Sequence, residues 1–314
     1  LVACCLLLGG SLIACTGEGP DVGQTSQEIV GGEPATDPVY NAIGALVEIL
    51  PDGTTSEPFC TASLIGQDLV VTAKHCLMLT APSAKMGFAI GYDGNHPDRV
   101  VPVHAGLWER SVRQGIMGLG SDVAVVILEQ KIKDLRPVKL RSSPQPGTYE
   151  SVGYGAQSHY FEPPAPEYGT RQHGTMDLAG VGPDPYWQVL YNGDYDAFAI
   201  DWDEPASVDA AWNGYHMAEG YDAVFRRNTS GIAGGDSGGP IVQRKSKRWE
   251  SYGVTSGLTF ITRAQVATFT VYSTFGPQAM DFIAAARACG SVPREGVCDG
   301  TTLRRCVTET EEDG

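Results

Sequence analysis

Three short stretches carry side chains that can do nucleophilic chemistry: TAKHC around His75, SDVAVVIL around Asp122 and GIAGGDSGGP around Ser237. A serine hydroxyl attacks a carbonyl effectively only when a base takes its proton, a third group orients that base, and donors receive the developing oxyanion. His75 closes the apolar run LVVTA, where strand should give way to loop, and is the candidate base. Asp122 heads a run of apolar residues, where a partly buried carboxylate needs a partner. It is the candidate orienting acid. The glycines around Ser237 leave main-chain N–H groups uncovered, and those of Gly235 and Ser237 form the natural oxyanion pair. Singly, each feature has a structural explanation: a histidine beside a disulfide cysteine, an Asp opening a strand, a serine in a glycine loop. Together they specify acyl transfer through an acyl-enzyme, chemistry that calls for no metal and no cofactor.

GDSGG also satisfies the nucleophile-elbow pattern of the α/β-hydrolases, in which the histidine follows the serine. The histidines are residues 75, 96, 104, 159, 173 and 216, and none follows Ser237. That leaves the order His, Asp, Ser. IVGG at Ile29, TAKHC at His75, DVAVVIL at Asp122, VGYG at Gly153, GDSGGP at Ser237 and GVTSG at Ser256 then occur in the order of the trypsin-like (chymotrypsin-family) serine proteases, which residues 29–288 resemble. The resemblance implies an all-β fold of two six-stranded antiparallel β-barrels with a C-terminal helix and the three residues in the cleft between the barrels. It also implies a disulfide between Cys60 and Cys76 and a supporting role for Ser256 beside Asp122.

The elements that must position these residues read as short β-rich runs: IGALVEIL, ASLIGQDLVVTA, GFAIGY, DVAVVIL, SYGVTSGL and VATFTVYSTF, separated by Gly, Pro and Asp clusters. No alternation of strand and long helix suggests a parallel sheet. One helix is expected, from about Pro277 to Ala288, with Ala279, Phe282, Ile283 and Ala286 on one face. The two barrels are placed at 29–145 and 146–288. Beyond them a tail, 289–314, contains an Asp299-Gly300 turn that suggests a hairpin closed by Cys298 and Cys306.

Ahead of the barrels, LVACCLLLGGSLIAC is an apolar run too short to span a bilayer and reads as a signal peptide, residues 1–15, clipped at its start. Its end, Leu12 to Cys15, resembles the bacterial lipobox, which implies lipidation of Cys15; an ordinary signal peptide is the alternative. Residues 16–28 are polar and glycine-rich and read as a propeptide or linker. The expected location is therefore secreted, or periplasmic or outer-membrane, in a bacterium. That compartment is oxidising, and removing Cys4, Cys5 and Cys15 leaves five cysteines, so one lacks a partner within the chain. The acidic ending TETEEDG suggests that its partner lies beyond a truncated end. A net charge of −15 and a pI near 4.7 disfavour nucleic acid and anionic membrane as partners, leaving any membrane contact to the lipid anchor. The expected partners are a protein or peptide substrate and an activating protease.

The family's activation sequence falls on IVGG. A freed α-amino group at Ile29, if buried, must meet an anion, and the resemblance assigns Asp236. Family specificity lies in a pocket whose floor falls on Gly231, where a Lys- or Arg-specific protease needs a carboxylate. Ser256, Gly257, Leu258 and Thr270 line it, and Leu258 and Thr270 narrow it toward small or apolar P1 residues; a pocket accepting aromatic residues is the runner-up. Ala233 replaces a cysteine found in many relatives, and no cysteine lies between Cys76 and Cys289, so packing alone is expected to hold the pocket. The acidic and aromatic stretches between Gly155 and Ser237 lack the regular spacing of a Ca²⁺ loop and read as surface loops. Two rivals remain: a catalytically inactive homologue that binds through the cleft, and a scaffold led by the tail.

Overall fold

A computed structural model describes residue 29 and residues 32–78, 84–108, 122–142, 144–156, 168–182, 222–227, 232–245, 248–260, 268–290, 297–299 and 302–304. In chain order the first elements are β1 (Glu33–Pro34), a 3₁₀ turn (Pro38–Tyr40), β2 (Ile43–Ile49), β3 (Cys60–Leu64), β4 (Leu69–Thr72), a short helix α1 (Lys74–Met78), β5 (Lys85–Ile90), β6 (Arg99–Trp108) and β7 (Ala124–Leu128). Strands β2, β3, β4, β7, β6 and β5 pair in that order and close into a six-stranded barrel. Its apolar side chains, among them Leu46, Leu64, Val71, Phe88, Val125 and Ile127, are almost wholly buried. Burying each such side chain contributes roughly 1.5–3 kcal/mol.

The chain continues through β8 (Lys139–Leu140), β9 (Thr148–Gly153), β10 (Gln172–Gly182), β11 (Asp222–Arg227), β12 (Pro240–Lys245), β13 (Arg248–Phe260) and β14 (Thr268–Thr274). The order β10-β11-β14-β13-β12-β9, with β9 pairing back onto β10, makes a second six-stranded antiparallel ring. β1 adds to β10, and β8 runs parallel beside β13. The all-β, double-barrel architecture is thus the expected one. Its interior gathers Tyr149, Met176, Ile232, Ile241, Tyr252 and Tyr272.

The C-terminal helix α2 (Pro277–Gly290) starts at the expected proline and runs two residues past the expected end. Ala279, Ile283 and Ala286 join the core of the first barrel, and Arg287 donates to Ile65 O at 3.0 Å. The tail hairpin strands form as β15 (Val297–Asp299) and β16 (Thr302–Arg304), paired antiparallel with Asp299 opposite Thr302. Its proposed closure to Cys306 lies outside the described residues.

Several strands had no clear signal in the sequence. β6 contains Pro102 and has a register shift between Val103 and Ala105, and β10 is rich in glycine and polar residues with a shift between Leu178 and Gly180. Irregular strands of this kind are stabilised by their neighbours in the sheet and not by intrinsic preference.

Candidate active site

His75 lies in α1, a single helical turn between β4 and the following loop, and not in the plain strand-to-loop junction expected from LVVTA. The turn lets one carboxylate hold the residue twice. Asp122 Oδ1 accepts the His75 main-chain N–H at 2.9 Å, and Asp122 Oδ2 meets His75 Nδ1 at 2.6 Å. His75 and Asp122 are 7% and 5% exposed. With Nδ1 turned to the Asp122 carboxylate, Nε2 is the ring nitrogen left to face a substrate-side partner. The disulfide between Cys60 and Cys76 ties α1 to β3. Cys60, His75 and Cys76 are the one group of prospective metal ligands gathered among the described residues, but their two sulfurs are bonded to each other, so neither is a thiolate.

The second barrel supplies the other partners of Asp122. Ser256 Oγ donates to Asp122 Oδ2 at 2.6 Å. It can do so because β13 bulges at this residue: Thr255 pairs with Tyr272 and Gly257 with Val271, leaving Ser256 as the extra residue that turns out of the ladder. From the adjacent strand β14, Ser273 Oγ accepts the Asp122 main-chain N–H at 3.1 Å. A carboxylate taken out of water is costly unless donors surround it, and here three donors meet two oxygens.

Ser237 enters the cleft from the loop before β12. Its carbonyl accepts the Thr61 N–H at 2.8 Å and approaches Cys76 Sγ at 3.6 Å, which sets the loop against β3 and α1. Thr61 also donates its hydroxyl to Gly235 O at 3.0 Å and accepts the Tyr154 N–H at 3.0 Å. One first-barrel side chain therefore braces the serine loop and the VGYG segment together. With the carbonyls of Gly235 and Ser237 held by Thr61, their N–H groups donate to no acceptor among the described residues. They remain available to a ligand oxygen. No hydrogen bond joins His75 to the Ser237 hydroxyl among the described residues; in empty sites such bonds are often long and tighten with substrate.

Asp236 is wholly buried. Its Oδ1 accepts the Gly155 N–H at 2.8 Å and its Oδ2 the Ala233 N–H at 2.8 Å. The close approach demands glycine at 155, where a Cβ would lie 2.7 Å from both carboxylate oxygens. Asp236 N–H returns to Ala233 O at 3.2 Å, so the loop at Ala233 is held by a ring of hydrogen bonds as well as by packing. The expectation that packing alone holds it was too narrow. Ile29 is fully buried too.

Of the pocket residues, Leu258 and Thr270 stand directly opposite each other on β13 and β14, and the Thr270 side chain is buried. Gly257 adjoins them, partly exposed, after the bulge. Gly231, Cys15 and Cys306 lie outside the described residues, as do the stretches 157–167 and 183–221. Thr61 and Ser273 escaped the sequence: each sits inside an ordinary strand pattern, and its role depends on the opposite barrel.

Residues 29–167 match the family model described as Trypsin. The matched span includes His75 and Asp122 and stops short of Ser237. No curated protein matches the chain.

Proposed function

We propose that the chain is a trypsin-like, chymotrypsin-family serine protease, a secreted endopeptidase working through Ser237, His75 and Asp122, a reading supported by the Trypsin family match over residues 29–167. One observation carries this: Asp122 is clasped from both barrels, by His75 Nδ1 at 2.6 Å and Ser256 Oγ at 2.6 Å, beside a serine loop with two uncommitted N–H donors. Ser237 Oγ attacks the scissile carbonyl while His75 Nε2 takes its proton, and Asp122 stabilises the resulting imidazolium. The oxyanion is received by the N–H groups of Gly235 and Ser237. His75 then protonates the leaving amine, which gives an acyl-enzyme, and a water attacks the ester by the same proton path to regenerate Ser237.

Cleavage after Glu28 by an activating protease would free the Ile29 amine to pair with Asp236, fixing the loop that carries Gly235. The pairing of Leu258 with Thr270 across β13 and β14 supports a narrowed, apolar P1 pocket that prefers small aliphatic residues, and Gly231 offers no charge for Lys or Arg. Lipidation of Cys15 would hold the uncut chain at a bacterial membrane until that cleavage releases it.

The test is fluorophosphonate labelling of protein cut before Ile29. Ser237 is expected to be modified, with labelling lost in Ser237→Ala; an unlabelled, correctly cut protein would identify a binding homologue instead. A peptide library read with the same material should return small or apolar P1 residues, and a Lys or Arg preference would overturn the pocket assignment. For the anchor, membrane fractionation of wild type and Ile29→Pro should leave only the uncut form bound.

A further inference from the structure

Arg171, just ahead of β10, is 1% exposed and pairs with no carboxylate among the described residues. Its guanidinium donates to four acceptors within residues 35–43, Nε to Ala35 O at 3.1 Å, Nη1 to Tyr40 O and Ile43 O at 3.0 Å each, and Nη2 to Asn41 Oδ1 at 3.0 Å, and it also lies against the Tyr154 hydroxyl. Its main chain joins the same segment through Ala35 N–H, which donates to Arg171 O at 2.9 Å, while Arg171 N–H donates to Tyr92 O, just past β5, at 2.8 Å. Burying a cation without an anion is costly. Here the cation gathers three carbonyls and an amide oxygen from residues 35–43. Next to it, Glu33 and Pro34 pair with His173 and Gln172, and the Tyr40 hydroxyl donates to Glu150 at 2.8 Å. The whole stretch after IVGG is thus moored to the second barrel, with the buried guanidinium at its centre.

Ile29 lies six residues before Ala35, a tether of at most about 20 Å. Holding one end of so short a tether keeps the other end at an effective concentration in the millimolar range near its site. We propose that Arg171 is a positioning residue for activation: it moors residues 35–43 so that the freed Ile29 amine stays seated at Asp236. This rests on the proposed pairing of Ile29 with Asp236. Without the mooring, the seated fraction falls, and activity falls with it, because only that fraction has an ordered oxyanion loop.

The experiment uses full chain bearing a specific protease site before Ile29, cut to completion, as wild type, Arg171→Met and Asn41→Ala. Arg171→Met is expected to lower kcat by about tenfold or more with KM unchanged. Its Ile29 α-amine should react with an acylating reagent at least about tenfold faster, and millimolar Ile-Val dipeptide should restore activity by filling the vacated site. Asn41→Ala, which deletes one acceptor at the partly buried edge, should shift amine reactivity the same way by a smaller factor, and it decides the matter if Arg171→Met fails to fold. An amine as protected in the variants as in wild type, or lost activity that the dipeptide does not restore, overturns the proposal. Failure of wild type to react with fluorophosphonate while its amine is protected would instead sink the protease reading, and the amine measurement would still judge the mooring.

Discussion

Replacing Asp122 with asparagine tests the proposed mechanism at its most constrained point. The side chain keeps its shape, but one of its two oxygens becomes an NH₂ group, and the surroundings decide which. At Oδ1 the partner is the His75 main-chain N–H at 2.9 Å, a donor that cannot reverse. At Oδ2 the partners are Ser256 Oγ, whose hydroxyl can rotate to accept, and His75 Nδ1, which accepts if its proton moves to Nε2. Placing NH₂ at Oδ1 would forfeit a buried hydrogen bond, a cost of about 1–3 kcal/mol. The amide therefore settles with nitrogen toward Nδ1 and holds the proton on Nε2. That tautomer cannot take the serine proton. The expected loss in kcat is about 10⁴-fold, the size found when this tautomer is imposed on such a triad, equivalent to about 5.4 kcal/mol at 1.36 kcal/mol per decade. The assay is the rate of Ser237 fluorophosphonate labelling and of ester hydrolysis in the cut protein, with thermal unfolding as the control for folding. A folded Asp122→Asn variant within tenfold of wild type would refute the reasoning.

Thr61→Val keeps the shape but unpairs Gly235 O and the Tyr154 N–H, so urea unfolding should lose roughly 1–3 kcal/mol for each group, and labelling of Ser237 should slow by about tenfold as the Gly235 N–H loses its brace; an unchanged labelling rate contradicts the bracing role. Gly238→Ala should abolish labelling or prevent folding, because φ is +79° there and the new Cβ would collide with Thr72 Oγ1 and Thr61 O and lie 2.9 Å from Ala73 N; a folded variant of wild-type activity would show that the loop gives way. Glu150→Gln should change the pH dependence of stability. Burial pushes the Glu150 carboxyl pKa up, but hydrogen bonds with His173 and Tyr40 outweigh it and hold it below its ordinary value of 4.5. A carboxyl that is a stronger acid when folded stabilises fully above its unfolded pKa and loses that contribution as pH falls through the folded value. The melting temperatures of wild type and Glu150→Gln should therefore differ at neutral pH and converge below about pH 4; a gap constant down to pH 3 rules this out.

The residues proposed for chemistry were legible because chemistry restricts residue type. Only certain side chains act as base, acid and nucleophile, and their order His75, Asp122, Ser237 separates this constellation from the elbow hydrolases. The C-terminal helix was legible from its apolar period, and the tail hairpin from its Asp-Gly turn. Apart from Ser256 beside Asp122, which the family resemblance implied, what the sequence left dark were the contacts between the barrels and the geometry that makes them. The bulge that turns Ser256 toward Asp122 is a matter of register between β13 and β14, and register appears only when strands pair. Thr61 braces residues far along the chain, and Arg171 looks like any surface arginine until the fold closes over it. By itself the sequence determined which groups could react and which way the chain would pleat. Beyond Ser256, whose support of Asp122 the family resemblance implied, the tertiary structure decided which groups brace them, among them Thr61 and Ser273, because a hydrogen bond across the cleft depends on distance in space, and periodicity along the chain carries no record of it.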